Sequence, residues 1–171
     1  MSSDTKLSLH IYGDEVLRQK AQDVTEFDDK LKKTVEEMIQ VMYNNKGVGL
    51  AAPQVGISKR FFIVDIDRTE NSLIFVANPE ISYYSSDKEF FEEGCLSVPG
   101  IYAEVERPRS IIMTGQDING NQIEITASGF LARALMHEND HLSGVLFVDL
   151  IPEENNKKVK NQLKKLTKKR K

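Results

Sequence analysis

Hydrophobic positions along the chain follow two rhythms, a spacing of three and four residues and a spacing of two. Leu31, Val35, Met38, Ile39 and Met42 recur at the first, with Lys32, Lys33, Glu36, Glu37 and Gln40 between them. This predicts an amphipathic helix from Phe27 to Asn45, ended by Asn44-Asn45-Lys46-Gly47. Before it, His10 to Leu17 begins apolar and turns at Gly13-Asp14, with Asp14 placed to cap a short helical turn. The second rhythm predicts strands at Phe61 to Ile66, Leu73 to Ala77 (closing at Asn78-Pro79), Tyr102 to Glu106, Ser110 to Thr114 and Gln122 to Thr126. A further extended segment falls within Ile81 to Phe91, Glu92 to Gly100 reads as a turn-rich loop, and Asn119-Gly120 signals a two-residue hairpin. From Phe130 the helical rhythm returns. Thr126 or Ser128 can cap this helix, Gly144 can stop it, and Phe130, Leu131, Ala134, Leu135 and Leu142 form a face to be buried against a sheet. Val145 to Leu150 reads as an apolar strand, and Glu153 to Lys168 as a last helix carrying Val159, Leu163 and Leu166. Short strands punctuated by turns, with helices on either side, give an α+β class: small antiparallel or mixed sheets around a central helix, with an N-terminal and a C-terminal helix.

Size and composition narrow the picture. The 171 residues, 40% hydrophobic and 29% charged, suit one domain with a real core. Its catalytic part is expected at about 10–150, followed by a basic helix and tail at about 153–171. No apolar run approaches the ~20 residues that span a bilayer. The opening MSSDTKLSLH has no long apolar segment, so a secretory signal is not expected and the cytoplasm is the expected location. One cysteine, Cys95, cannot form an intrachain disulfide. The net charge of -3 hides an asymmetry: nine Lys or Arg and no acid lie between Lys157 and Lys171, leaving 14 basic against 26 acidic residues elsewhere.

The chemistry concentrates on the central helix. His137, Glu138 and His141 spell H-E-x-x-H, and a spacing of four residues puts both imidazoles on one helix face, where they can share a divalent metal. Glu138, beside the first ligand, can serve as a base toward a water activated by the metal. The plain alternative is a polar rim on a packing helix. Adding Cys95 makes a two-histidine, one-cysteine set that leaves a fourth position open, as catalytic sites do. A lone cysteine is more often a small buried hydrophobe, so spacing alone leaves its role open. Such a set suits iron(II), cobalt, nickel or zinc. The remaining ring nitrogens need acceptors, for which Glu93 is a candidate. Gly47 to Gly56 (GVGLAAPQVG) fits neither a dinucleotide fingerprint nor a phosphate loop, since it follows a helix and lacks the full spacing of either.

Three stretches in order resemble the peptide deformylases: Gly47-Val48-Gly49-Leu50-Ala51-Ala52-Pro53-Gln54, Glu93-Gly94-Cys95-Leu96-Ser97 and His137-Glu138-Asn139-Asp140-His141-Leu142-x-Gly144. The resemblance covers about residues 10 to 150, and Val98-Pro99-Gly100 with a helical C-terminus is similar to the bacterial first type. It implies that Cys95, His137 and His141 bind the metal, natively iron(II), with zinc, nickel or cobalt as occupants of purified protein. It implies that Glu138 relays the proton from water to the leaving amine. Gln54 by its amide and Leu96 by its backbone N–H would donate to the formyl oxygen. Val48 and Gly49 would pair with the extended substrate backbone, and Val48, Leu96, Phe130, Arg133, Ala134 and His137 would surround the methionine side chain. The family usually has glutamine before the first histidine; Met136 stands there and cannot donate a hydrogen bond.

The expected partner is a formyl-methionyl nascent peptide. The basic tail adds an expected contact with ribosomal RNA, set against the alternative of a solvated, frayed helix end; deleting Asn156 to Lys171 is expected to spare hydrolysis. Neither sequence-specific DNA binding nor a membrane is expected. Two other functions compete: an H-E-x-x-H endopeptidase, which would leave Cys95 unexplained, and a ribosome-binding factor without chemistry, which would leave Gln54 and Glu138 idle.

Overall fold

The computed structural model describes residues 6–170; the first five positions of the N-terminal stretch and Lys171 of the basic tail lie outside the described residues. Helix α1 spans Asp29–Asn44; it starts two residues inside the range drawn from periodicity because Asp28 caps it by accepting from the Leu31 N–H at 2.9 Å. Its apolar stripe, Leu31, Val35, Met38, Val41 and Met42, is buried.

Seven strands follow: β1 Gly49–Ala51, β2 Phe61–Val64, β3 Ile74–Tyr84, β4 Lys88–Cys95, β5 Val98–Pro108, β6 Ser110–Gln116 and β7 Gln122–Ser128. Five of them form an antiparallel sheet in the order β1-β2-β3-β6-β7, and β4 and β5 form a separate antiparallel hairpin. Strand β2 is buried throughout, and its two-residue period divides the core. Phe61 and Ile63 join the cluster of α1, whereas Phe62 and Val64 join the cluster of helix α2, Gly129–His141. The sheet is thus sandwiched between two helices, and the α+β expectation holds.

Several local expectations are corrected. Strand β3 does not close at Asn78-Pro79 but runs through it: a register shift between Ala77 and Glu80 absorbs the proline, and Asn78 adopts φ +50°. The Asn78 amide clips this bulge by donating to the Val24 carbonyl at 2.9 Å and accepting from the Val24 N–H at 2.8 Å. The stretch from Glu92 to Gly100 is the closed end of the β4–β5 hairpin, with only Leu96 and Ser97 outside its strands. Asn119-Gly120 belongs to a five-residue loop between β6 and β7, where the Asp117 carboxylate accepts from the N–H groups of Asn119 and Asn121. Residues Phe147–Leu150 form a 3-10 turn instead of a strand, which lets the consecutive Phe147 and Val148 both be buried. Asp14 and Ser128 occupy N-cap positions without capping by their side chains. Phe130, expected to be buried against the sheet, is 48% exposed.

The C-terminal helix α3, Asn156–Lys168, is seated and not frayed. Val159 and Leu163 are buried in a third cluster with Val98, Ile101, Val105 and Phe147. Beyond its end, Arg170 donates to the carbonyls of Ile11 and Tyr12, both at 2.9 Å, and to the Asp14 carboxylate at 2.7 Å. Removing this helix would uncover the β4–β5 hairpin that carries Cys95. The expectation that its deletion spares hydrolysis therefore does not follow. Among the described residues, no helix is long and apolar enough to cross a membrane.

Candidate metal centre

Cys95 ends β4, and His137 and His141 lie one turn apart on α2. Folding brings their ligand atoms within 4.8 Å of one another. The Cys95 Sγ is 3.4 Å from His141 Nε2. His137 turns its Nδ1 toward Glu93 Oε2 at 3.0 Å, which leaves Nε2 for the shared point. The His137 ring also stacks on Phe147, with centroids 6.1 Å apart. Burial pushes the His141 imidazole well below its ordinary pKa, favouring the neutral form that a metal requires. A cysteine sulfur and two imidazoles converging on one point fit a single divalent cation.

Glu93 is the anchor of this arrangement. Burial alone would raise its pKa, but His137 and Arg107 outweigh that and lower it to about 2. Arg107 grips it with Nε at 2.6 Å and Nη2 at 3.0 Å, and reaches Asp140 on α2 with Nη1 at 2.8 Å. Arg133 adds a third guanidinium nitrogen to Glu93 at 2.7 Å. The head of Arg133 is therefore committed within the protein, although the residue also lines the cavity.

Glu138 behaves differently. It is 5% exposed, and burial raises its pKa to about 7. Its Oε2 has no hydrogen-bond partner among the described residues. The rest of the carboxyl lies against Gly49, where a Cβ would come within 2.9 Å of Glu138 Cδ, so only glycine leaves room for it. A buried carboxyl free at one oxygen and titrating near neutrality has the properties of a general base.

A cavity of about 660 Å³ opens onto these groups. Val48, Gly49, Gln54 and Leu96 line it from one side, and Phe130, Arg133, Ala134, His137 and Glu138 from α2. Gln54 is held by its Oε1, which accepts from the Ala51 N–H at 2.9 Å, so its Nε2 faces Ser97 Oγ at 3.1 Å and Cys95 Sγ at 3.4 Å. Met136 does not belong to this cavity. It packs in the apolar cluster with Ala51, Phe62 and Leu135, where a thioether needs no partner. Sequence reasoning placed Ser97 and Asp140 within motifs without giving them a role and missed the paired role of Arg107, since spacing does not reveal which polar side chains meet in the interior.

This donor set, with a free base and an open cleft, defines a mononuclear metallohydrolase site. The polypeptide deformylase profile matches residues 6–157. A peptide deformylase of Thermotoga sp. strain RQ2 is 50% identical over 143 residues, covering 84% of this chain and 85% of that protein. The peptide deformylase of Plasmodium falciparum superposes with a TM-score of 0.92 at 40% identity, over 95% of this chain and 96% of that one. The Thermotoga maritima structure gives 0.82 at 48% identity, over 85% and 97%. The chain belongs to the polypeptide deformylase family. Its activity is the metal-dependent hydrolysis of the N-formyl group from nascent polypeptides.

Proposed function

We propose the following division of labour. Cys95, His137 and His141 hold the metal, with iron(II) the native ion. A divalent cation in this place supplies Lewis-acid activation of water and of the formyl oxygen. Glu138 takes the proton of the attacking water at its free oxygen and later delivers it to the methionyl amine. Gln54 Nε2 and the Leu96 N–H donate to the formyl oxygen and strengthen as negative charge grows there. Val48 and Gly49 carry the peptide backbone along the edge of β1. Val48, Leu96, Phe130 and Ala134 enclose the methionine side chain, whose full burial contributes about 1.5–3 kcal/mol. Formyl presents only hydrogen where other acyl groups present bulk, so selectivity follows from exclusion.

The observation that carries this reading is the unpartnered Glu138 carboxyl beside a cysteine–histidine triad whose ligand atoms lie within 4.8 Å. Formate release from formyl-Met-Ala-Ser by anaerobic iron(II) protein, run beside Glu138→Gln, tests it. Release that survives the substitution would overturn the role of the base.

The reading extends to the rest of the chain. Residues 1–171 act as one deformylase domain of the bacterial first type, supported by the Glu93-Gly94-Cys95-Leu96-Ser97 form and the helical C-terminus. The enzyme works in the cytoplasm. The exposed lysines of α3, among them Lys157, Lys160, Lys164 and Lys168, meet ribosomal RNA. Because α3 also covers the hairpin, charge reversal at these four positions is a better probe than truncation. Salt-dependent ribosome binding should fall while hydrolysis of the short peptide is kept. Unchanged binding would remove the RNA contact from the reading.

A further inference from the structure

The metal triad is divided between two elements: Cys95 stands on β4, and both histidines stand on α2. Whatever fixes the seam between them fixes the triad. Arg133 lies in the N-terminal part of α2, one turn before His137, and is 5% exposed. Its guanidinium spans both strands of the hairpin. Nη1 donates to the Val105 carbonyl on β5 at 2.9 Å, and Nη2 to the Glu89 carbonyl on β4 at 2.9 Å. Nη1 also reaches Glu93 Oε1 at 2.7 Å, while His137 takes Glu93 Oε2. Two side chains of α2, one turn apart, thus clasp the two oxygens of one carboxylate. The guanidinium lies over the Phe91 ring, 5.7 Å from its centroid, at cation–π distance.

Arg107 does not duplicate this role. It belongs to the hairpin, and among the described residues its direct bond to α2 goes to Asp140, near the other end of the helix, whose side chain is 27% exposed. Without Arg133, the Val105 and Glu89 carbonyls would each lose a donor at a buried seam.

We infer that Arg133 is a positioning residue: it locks α2 to the β4–β5 hairpin and so holds the Cys95 thiolate and the two imidazoles at the spacing one metal ion needs. This inference rests on the proposed ligand set. The aliphatic stem of Arg133 remains a wall of the cavity.

Cobalt(II)-substituted protein tests it, with Arg133→Met keeping the stem and Arg133→Lys restoring charge and one donor. The visible cobalt spectrum, the rate of metal loss to a chelator and the kcat and KM for formyl-Met-Ala-Ser are compared. Arg133→Met should alter the spectrum and lose metal about 10- to 100-fold faster. Its kcat should fall by a similar factor with KM within about twofold, and Arg133→Lys should recover part of each effect. Wild-type spectrum and chelator rate in Arg133→Met, with only KM raised, would overturn the inference in favour of a substrate-contacting wall. Should Arg133→Met not fold, Arg133→Gln, which loses the charge and cannot span both strands, takes its place, and an unchanged chelator rate and spectrum in it overturn the inference. If the wild-type protein itself shows no thiolate–cobalt absorption, the ligand set has failed and the inference falls with it.

Discussion

The two faces of α2 are built on one backbone but held in different ways. On one face Ala132, Leu135, Met136 and, just past the helix end, Leu142 join Phe62, Val64, Val76, Ile111 and Met113 in an apolar cluster. Stabilisation there is spread over many small contacts, so no single pair dominates and Met136 fits without a polar partner. On the other face Arg133, His137, Glu138, Asp140 and His141 are largely buried, and each depends on a few named groups from the hairpin or the β1 edge. An error on the first face costs stability. An error on the second costs chemistry, because the geometry of few bonds sets the pKa values and the ligand spacing.

The strongest way to break this contrast is Glu138→Gln. It should lower kcat by about 10²- to 10⁴-fold while metal content and melting temperature stay close to wild type. Formate assay and metal analysis on the same sample check it. On the apolar face, Leu135→Ala should cost about 2–5 kcal/mol in urea unfolding, with kcat of the folded fraction little changed. A comparable loss of kcat would show that the two faces are not separable. Gly49→Ala sharpens the contrast from the facing strand. The added methyl meets the Glu138 carboxyl, so kcat should fall about 10²-fold through misplacement of the base, with a loss of about 1–3 kcal/mol in stability from overpacking.

The smallest effect is expected at a buried polar group whose side-chain partners lie outside α2. Asp65 is fully buried and accepts from Tyr43 Oη, from Ser72 Oγ at 2.8 Å and from the N–H groups of Arg68 and Glu70 at 3.0 and 2.9 Å. Burial alone would raise its pKa, but these donors outweigh that and lower it. Because the folded value lies below the unfolded one, the stabilisation is full above about pH 4 and is lost as pH falls through the lowered value. Asp65→Asn should cost about 1–3 kcal/mol at neutral pH and flatten this acid dependence, leaving kcat unaltered. Urea unfolding of both proteins between neutral and acid pH measures it. A steep acid loss that persists in Asp65→Asn would assign the dependence to other carboxyls.

The sequence shows the apolar face more readily than the polar one. Helical period alone placed α1 and α2 within a few residues, and H-E-x-x-H put two imidazoles on one face before any fold was known. The strand boundaries that failed did so for local reasons. The Asn78-Pro79 pair ends an ordinary strand, but here an Asn78 side chain tied to Val24 turns it into a bulge. Phe147 and Val148 look like a strand because both are apolar, yet a 3-10 turn buries neighbours that a strand would put on opposite faces. The ligand role of Cys95 came only from resemblance, since 42 positions separate it from His137 and spacing says nothing about a β4–α2 seam. For the same reason Arg133 counted as one of several cavity residues; that its head is already occupied is a property of the tertiary structure.

The seating of α3 has a consequence for the order of events during synthesis. Arg170 ties to Ile11 across 159 positions of chain, and Val159 and Leu163 cover apolar surface laid down some sixty residues earlier. While the chain is being made, the hairpin bearing Cys95 waits with that surface open. Such long-range closures are slow to form and leave sticky intermediates. A ribosome that stalls before α3 emerges would hold every ligand of the metal centre yet lack the element that shuts the hairpin down. The maturing chain should therefore gain activity late and in one step, and be most prone to aggregate just before it.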